Sequence, residues 1–513
     1  MNDKAAAGAG LDAWLAGWRG WLAAIVLGAV SALGQAPFSL FWLALAGFAG
    51  AFLLFQRTPD KRRAFWCGWA IGVGYAAVAM SWIVEPFLVD IQVFGWMAPF
   101  ALIFMASGFG LFWGAAFAGA RWLCPYPGPG LFALAVTWTI AEIVRSYILT
   151  GFPWGLVSYI WIDTPVLQYF ALIGPQGMNL ATLLLVVLAI YAFRSTYRYL
   201  ALAGVAAGLG VLIFVGSIIQ SQPPAPGSGP TLNVRMIQPN APQDQKWDPA
   251  MMPVFYNRQL GLTAELSNPA PDVVVWPEVA VPFLLNDPDA PLGEIAGVAG
   301  GATVILGGQR REGPRVFNSI AVLEDDGAIA AIYDKYHLVP FGEYLPFQDL
   351  MASFGLKSMT ARFGSGFSAG PGPQVLDLGR LGKVLPLICY EGIFPHELRR
   401  VTERPDWMLL ATNDAWFGKL TGPYQHLAQA RARSAELGVP MIRVANTGIS
   451  ALIDARGQVV DSLPLGVAGR LDVALPPALP PTLYATAGDL PVFIVLLLAL
   501  GTLLVRKFAL TAS

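Results

Sequence analysis

The feature that most constrains this chain is a series of apolar segments, each long enough to cross about 30 Å of hydrocarbon as a helix. They fall near residues 21–36, 38–56, 64–83, 95–122, 130–149, 168–193 and 199–219, and one more covers 490–506. Seven spans, a polar stretch and an eighth span are therefore expected. Charge is divided in the same way, with 13 charged residues in the 199 positions from 21 to 219 and 46 in the 271 positions from 220 to 490. Over all 513 residues the charged share is 13% and the mean hydropathy +0.55, against a charged share of ~25% in soluble domains. A disordered chain and a wholly water-soluble enzyme are both excluded. With 32 basic residues against 33 acidic ones, no basic excess is available to neutralise a nucleic-acid backbone, so no nucleic-acid partner is expected.

The first apolar run does not read as a cleavable signal peptide, because Ala36-Pro37 leads straight into another apolar stretch. Orientation follows from Lys and Arg, which resist translocation when they lie in short loops. With the N-terminus inside, the inner segments carry Lys4, Arg19, Arg57, Lys61, Arg62, Arg63, Arg121, Arg194, Arg198, Arg506 and Lys507, and the short outer loops carry only Arg145. Seven spans then deliver residues 220–489 to the far side, which in a bacterium is the periplasm. Within the spans, Glu142 and Arg145 sit three apart on one helical face and are expected to form an ion pair, since isolated charges at that depth are costly.

The segment from Gln222 to Pro230 is rich in Pro, Gly and Ser, as a domain boundary should be. Beyond it the pattern changes to short β-rich runs, among them 232–237, 273–276, 303–306, 319–323, 384–388 and 408–410, separated by helical stretches at 251–266 and 423–437. Such alternation indicates a layered α/β domain. The expected organisation is a membrane domain over 1–219, a linker over 220–230, an α/β domain over 231–485 and a C-terminal transmembrane helix over 490–508.

Three residues of this domain stand at the ends of apolar β runs. Cys389 follows Val384-Leu-Pro-Leu-Ile388 and precedes a glycine turn; Glu278 closes Asp272-Val-Val-Val-Trp-Pro-Glu278; Lys335 lies in Ile332-Tyr-Asp-Lys335, ahead of aromatic and Pro-Gly positions. Taken singly, they read as a core cysteine, a solvated carboxylate and a surface lysine. Together they form a coherent acyl-transfer set: a carboxylate to take the thiol proton, a thiolate to attack a carbonyl, and an ammonium to meet the charge that develops on oxygen. His337, His396 and His426 show no ligand spacing and Cys389 is the only cysteine of the domain, so no metal site is expected. Cys67 and Cys124 lie in or beside apolar spans and read as core residues.

The strings Trp276-Pro-Glu278, Asp334-Lys335-Tyr336 and Cys389-Tyr-Glu391 resemble the Glu-Lys-Cys triad motifs of the nitrilase, or carbon-nitrogen hydrolase, superfamily. With the spans included, the chain is similar over nearly its whole length to bacterial apolipoprotein N-acyltransferases. Further strings that carry the likeness are Thr150-Gly-Phe-Pro-Trp154, Gln238-Pro-Asn240, Lys246-Trp247-Asp248, 337–343, 413–418 and 445–451. The resemblance implies a multi-pass α-helical membrane domain of about eight spans plus a nitrilase-like αββα domain in the periplasm, held in the inner membrane. It implies Cys389 as nucleophile, Glu278 as general base, Lys335 as oxyanion stabiliser and Glu343 as a supporting carboxylate, with Tyr390, Glu391 and Trp247 around the pocket. The implied activity moves a fatty acyl chain from a phospholipid to the amine of a diacylated apolipoprotein, with no cofactor and as a monomer. A membrane-anchored amidase using water as acceptor is the competing reading.

Because both substrates reside in lipid, Phe341, Tyr344, Leu345, Phe347, Leu350, Met351, Phe354 and Leu356 are expected to form an apolar interfacial lid within 341–370. Phe341, Phe347 and Phe354 are the candidate lipid contacts on it. Trp154 is expected close to the lipid entrance.

Overall fold

The structure is a computed structural model that describes residues 17–223, 231–346 and 366–512. It divides into two compact units, Met1–Gln222 with Thr486–Ser513 and, between them, Pro223–Ala485.

A helix lies on each of the eight apolar runs: α1 (Trp18–Ala32), α2 (Phe41–Arg57), α3 (Lys61–Ala79), α4 (Ala98–Leu123), α5 (Pro127–Tyr147), α6 (Phe170–Arg194), α7 (Arg198–Ser221) and, at the C-terminal end, Leu490–Ala512. Among the described residues, five helical segments are long and apolar enough to cross a membrane, or six if α3 is joined to the turns after it across a 67° bend. The first two helices have 15 and 17 residues, roughly 22 and 26 Å at 1.5 Å per residue, and fall short of ~30 Å. Helix α7 leaves Leu200, Val211 and Phe214 exposed, an apolar surface that water does not favour and lipid does. This is a membrane protein.

The helical unit buries its polar groups in pairs. Arg145 Nη2 lies 2.6 Å from Glu142 Oε2, the Trp113 indole donates to Glu142 Oε1 at 2.7 Å, and Arg145 Nη1 donates to the carbonyls of Phe152 and Trp154 at 2.7 and 2.8 Å. The expected ion pair is present, and it fastens the 150–169 connection. That connection runs as two 3₁₀ turns, Val157–Trp161 and Pro165–Tyr169, in largely buried surroundings, where irregular backbone is tolerated because protein groups satisfy it.

The second unit is a four-layer sandwich. Its first sheet contains β1 (Asn233–Gln238), β2 (Val273–Val275), β3 (Thr303–Glu312), β4 (Arg315–Leu323) and β5 (Ile329–Asp334); its second contains β6 (Leu376–Asp377), β7 (Lys383–Ile388), β8 (Trp407–Thr412), β9 (Met441–Ala445), β10 (Ser450–Ile453) and β11 (Val459–Leu463). Strand β12 (Gly469–Ala474) returns to the first sheet, antiparallel to β1. The order is β12-β1-β2-β3-β4-β5 and β11-β10-β9-β8-β7-β6, with β1-β2-β3 and β7-β8-β9 parallel.

Alternate residues of the central strands explain the layering, because a strand presents successive side chains to opposite faces. Val273, Val275, Ile305, Ile320, Val384, Ile388, Trp407 and Leu409 form the core between the sheets. Val274, Val304, Leu306 and Ala321 turn the other way, onto α8 (Met252–Ala264) and α9 (Leu292–Val298). Leu385, Leu387, Met408 and Leu410 likewise pack against α10 (Gly422–Leu437). With both faces of both sheets covered, the functional groups emerge where strands end.

Replacing Glu142 with Leu would strand the Arg145 guanidinium in a buried place without its carboxylate. Removing one partner of a buried pair typically costs about 3–5 kcal/mol, so the thermal midpoint in detergent should fall clearly, and E142L/R145L should recover much of the loss. An unchanged midpoint for Glu142→Leu would mean that the pair does not hold this unit together.

Candidate active site

Each of the three residues singled out in the sequence begins where a strand stops. Lys335 follows the last residue of β5, Cys389 follows the last residue of β7, and Glu278 lies three residues beyond β2. The Glu278 turn is anchored by the Trp276 amide on the Ile305 carbonyl at 2.9 Å, the Trp276 indole on Thr263 at 3.0 Å and the Ala280 amide on the Gly307 carbonyl at 2.8 Å. Lys335 is placed by its amide on the Asn318 carbonyl at 2.8 Å, opposite β4. Its neighbour Asp334 accepts from Ser319 and from Arg310, which fixes the strand end.

The Lys335 ammonium is 1% exposed and lies 2.9 Å from Glu343 Oε1 and 3.8 Å from Glu278 Oε1. Asn318 Nδ2 spans the same two carboxylates, donating to Glu278 Oε1 at 2.8 Å and reaching Glu343 Oε1 at 3.4 Å. Glu343 is held at its other oxygen by the Val339 amide at 2.8 Å. Among the described residues no hydrogen bond is seen at Glu278 Oε2, so this carboxylate keeps one oxygen available. Glu343 has both engaged.

Electrostatics separate the roles. Burial raises Glu278 above the ordinary carboxylate range, offset in part by Lys335 and raised further by Glu343. Burial works against the Lys335 charge, but the Glu343 and Glu278 carboxylates outweigh it and hold the lysine well above its ordinary value. For Cys389, burial first and the Glu278 charge second push the thiol up, while Lys335 pulls it back. A thiol in that position is not a standing thiolate at neutral pH, so it needs a nearby base at the moment it reacts.

The backbone around these groups is strained. Cys389 has φ +50°, Val279 has φ +44° and Phe341 has φ +64°, a region costly for residues that carry a Cβ and most of all for a β-branched one. All three adjoin the carboxylates or the thiol. Gly370 serves the same end by close approach: its amide donates to the Lys335 carbonyl at 2.8 Å, and a Cβ there would come within 2.3 Å of the Asp334 carbonyl oxygen.

Glu391 ties the two strand ends together. Its carboxylate is fully buried and accepts from the Ile388 amide at 2.7 Å, the Tyr336 amide at 2.8 Å, the His337 amide at 3.3 Å and the Tyr333 hydroxyl at 3.0 Å. Burial pushes it up to about 7, with the amides of Ile388 and Tyr336 and the Lys335 charge acting in the other direction. It braces the Cys389 turn against the Lys335 turn.

Tyr390 is buried and packs edge-on to Phe394 and His337. Trp247 is half-buried beside a small cavity that Lys246, Phe255, Val279 and Asn446 also line; Lys246 Nζ donates to the Glu278 carbonyl at 3.3 Å. Phe341 is exposed, and Phe347 and Phe354, like most of the expected lid, lie outside the described residues. Trp154, at 1% exposure, is buried in the helical unit and packs on Trp82 and Phe152.

Other contributors were not singled out in the sequence. Asn318 could have been found as a polar pair with Ser319 inside the otherwise apolar run 316–323 of β4. Asp414, His426 and Arg443 form a fully buried cluster behind Cys389, and nothing in their spacing announces it.

The helical region matches the family model described as apolipoprotein N-acyltransferase N-terminal domain over residues 27–188, and the sandwich matches the carbon-nitrogen hydrolase model over 255–479. Relatives named apolipoprotein N-acyltransferase include one from Bradyrhizobium diazoefficiens, 39% identical with 96% of each chain covered, and one from Rhodopseudomonas palustris, 37% identical with 96% of each covered. A third, from Brucella suis, is 37% identical over 90% of this chain and 91% of its own. The chain belongs to the apolipoprotein N-acyltransferase family. Its sandwich has the carbon-nitrogen hydrolase fold.

Glu391→Gln would set an amide NH₂ among several donors. A buried donor without an acceptor costs ~1–3 kcal/mol, so the variant should unfold at lower temperature and lose at least tenfold in activity. Full stability and activity together would remove Glu391 as a brace.

Proposed function

We propose that this protein transfers a fatty acyl chain from a phospholipid to the N-terminal amine of a diacylglyceryl-cysteine apolipoprotein, by way of a thioester on Cys389. In the first half-reaction Glu278 takes the Cys389 proton, the sulfur attacks the glycerol ester carbonyl, Lys335 meets the charge on the carbonyl oxygen, and Glu278 hands the proton to the departing glycerol oxygen as lysophospholipid leaves. In the second, the neutral acceptor amine attacks the thioester and gives a proton to Glu278, which passes it to the leaving Cys389 sulfur and so restores the thiol. Glu343 keeps Lys335 charged and in place.

The observation that carries this reading is the difference between the two carboxylates around one buried ammonium. Glu343 is saturated, while Glu278 has an unengaged oxygen and an affinity for protons raised by burial. A base of that kind suits a thiol that burial keeps protonated. The names borne by the relatives favour an amine acceptor over water. We further propose a multi-pass protein of the bacterial inner membrane, with about seven spans before the domain, one after it, and residues 231–485 in the periplasm. The eleven-to-one distribution of Lys and Arg in the sequence supports that side.

The test is N-acylation of a synthetic diacylated lipopeptide by the purified protein with phospholipid. Wild type should give the triacylated product, and Cys389→Ser, Glu278→Gln and Lys335→Ala should each lose at least a hundredfold with the fold intact. Release of free fatty acid at an unchanged rate with or without lipopeptide would favour the hydrolase instead. Glu278 also sets a pH dependence. Its raised position puts the acid limb of kcat/KM above the ordinary carboxylate range, and the Asn318 hydrogen bond acts to lower it. Asn318→Ala should therefore move that limb to higher pH, with a loss of roughly tenfold on the acid side, since hydrogen bonds to charged groups are worth about 1.5–3 kcal/mol. A limb that stays in place would assign the base elsewhere.

A further inference from the structure

The cleft beside the Glu278 turn holds two polar groups that the mechanism leaves unused. Its walls are mostly apolar, with Trp247, Phe255 and Val281 among them, and Lys246 and Gln259 also line it. Lys246 is 9% exposed and Gln259 1%. An ammonium carries three donors. Among the described residues that of Lys246 makes one hydrogen bond, to the Glu278 carbonyl at 3.3 Å, and no ion pair within 4.0 Å; the centre of the Trp247 ring lies 5.7 Å away. Gln259 Nε2 donates to the Ala280 carbonyl at 2.8 Å, which fixes the orientation of the amide and leaves Oε1 with no partner among the described residues.

Buried polar groups are normally satisfied, because leaving them unpaired forfeits the hydrogen bonds they made with water. Here a donor and an acceptor, both short of partners, line one cleft. The other polar side chains around it are engaged. Asn446 bonds Ala241 and Asn413 through both ends of its amide, and the Tyr256 hydroxyl donates to Glu294 at 3.1 Å. An occupant that satisfies the cleft must therefore accept from Lys246 and donate to Gln259. A phosphodiester offers acceptor oxygens only, and it would set a second negative charge beside a lysine on which Glu278 already acts: burial brings Lys246 down to about 8, and the Glu278 charge works against that fall. A neutral peptide backbone answers both groups and adds no charge.

We propose that this cleft binds the peptide backbone of the acceptor just beyond its modified cysteine, with a backbone carbonyl on Lys246 and a backbone N–H on Gln259. This rests on the amine-acceptor reaction proposed above and adds where the acceptor's peptide lies. Lys246 and Gln259 bond the carbonyls of Glu278 and of Ala280, two residues on, so a peptide held there begins close to the base that takes the proton of its terminal amine. Because both contacts use backbone atoms, acceptors of differing sequence are held alike.

Binding of a fluorescent diacylated lipopeptide would be measured at pH 7 with the full-length Cys389→Ala protein in detergent, where no thioester forms. Adding Lys246→Met should weaken binding about tenfold, the scale of losing one hydrogen bond to a charged group. With Lys246 intact, N-methylation of the first, second and third peptide bonds after the cysteine, each in turn, should weaken binding at one of the three, and Gln259→Met should abolish that difference. The methyl scan leaves the cleft unaltered, so it decides the matter even where a variant does not fold. Unchanged binding in Lys246→Met, or a methyl scan without effect at any position, overturns the proposal. So does slower thioester formation from phospholipid in Lys246→Met on an otherwise wild-type chain with lipopeptide binding unchanged, which would give the cleft to the donor's head group. The expected binding losses, found alongside a wild-type protein that makes no N-acylated lipopeptide, would uphold the cleft and reject the reaction proposed above.

Discussion

The site depends on one buried cation. An ammonium removed from water is expensive unless carboxylates surround it, and Lys335 is held between Glu343 at 2.9 Å and Glu278 at 3.8 Å. Burial pushes Glu278 and Cys389 toward their protonated forms, and the surplus of two negative charges around one positive adds to it. Replacing the lysine would remove the group that opposes the carboxylate charge and would release Glu278 and Glu343 to repel each other.

Holding the three groups in place takes a second set of constraints, made mostly of backbone. Glu391 bonds the amides on either side of the site, Gly370 seals the chain against Lys335, and positive φ angles at Cys389, Val279 and Phe341 turn the strand ends sharply. The two packed sheets make such strain affordable, since their central strands are buried on both faces. Chemistry sits at the strand ends because side chains there escape the alternation that commits the strand interior to packing.

Much of this was legible in the sequence because it is local. Cys389, Glu278 and Lys335 each follow an apolar β run, and the helices at 252–264 and 422–437 announce themselves by composition. What escaped is what sequence spacing does not encode. Strand β9 carries the buried Arg443 in its middle, and β11 is largely exposed, so neither reads as an apolar run. Asp414, His426 and Arg443 come from a turn, a helix and a strand, and only the pairing of β8 with β9 joins them. In the helical unit, apolar runs located the helices well, but the first two, at 15 and 17 residues, are too short to cross the hydrocarbon unaided.

The central claim is that a fatty chain rests covalently on Cys389 between donor and acceptor. The most direct measurement is the intact mass of the purified protein after incubation with a phospholipid of defined chain length and no acceptor. The account predicts a mass increase of one acyl group, labile to hydroxylamine, mapped to Cys389 and discharged when diacylated lipopeptide is added. An unmodified mass while acylated lipopeptide still accumulates, or an acyl group mapped to another residue, would contradict it.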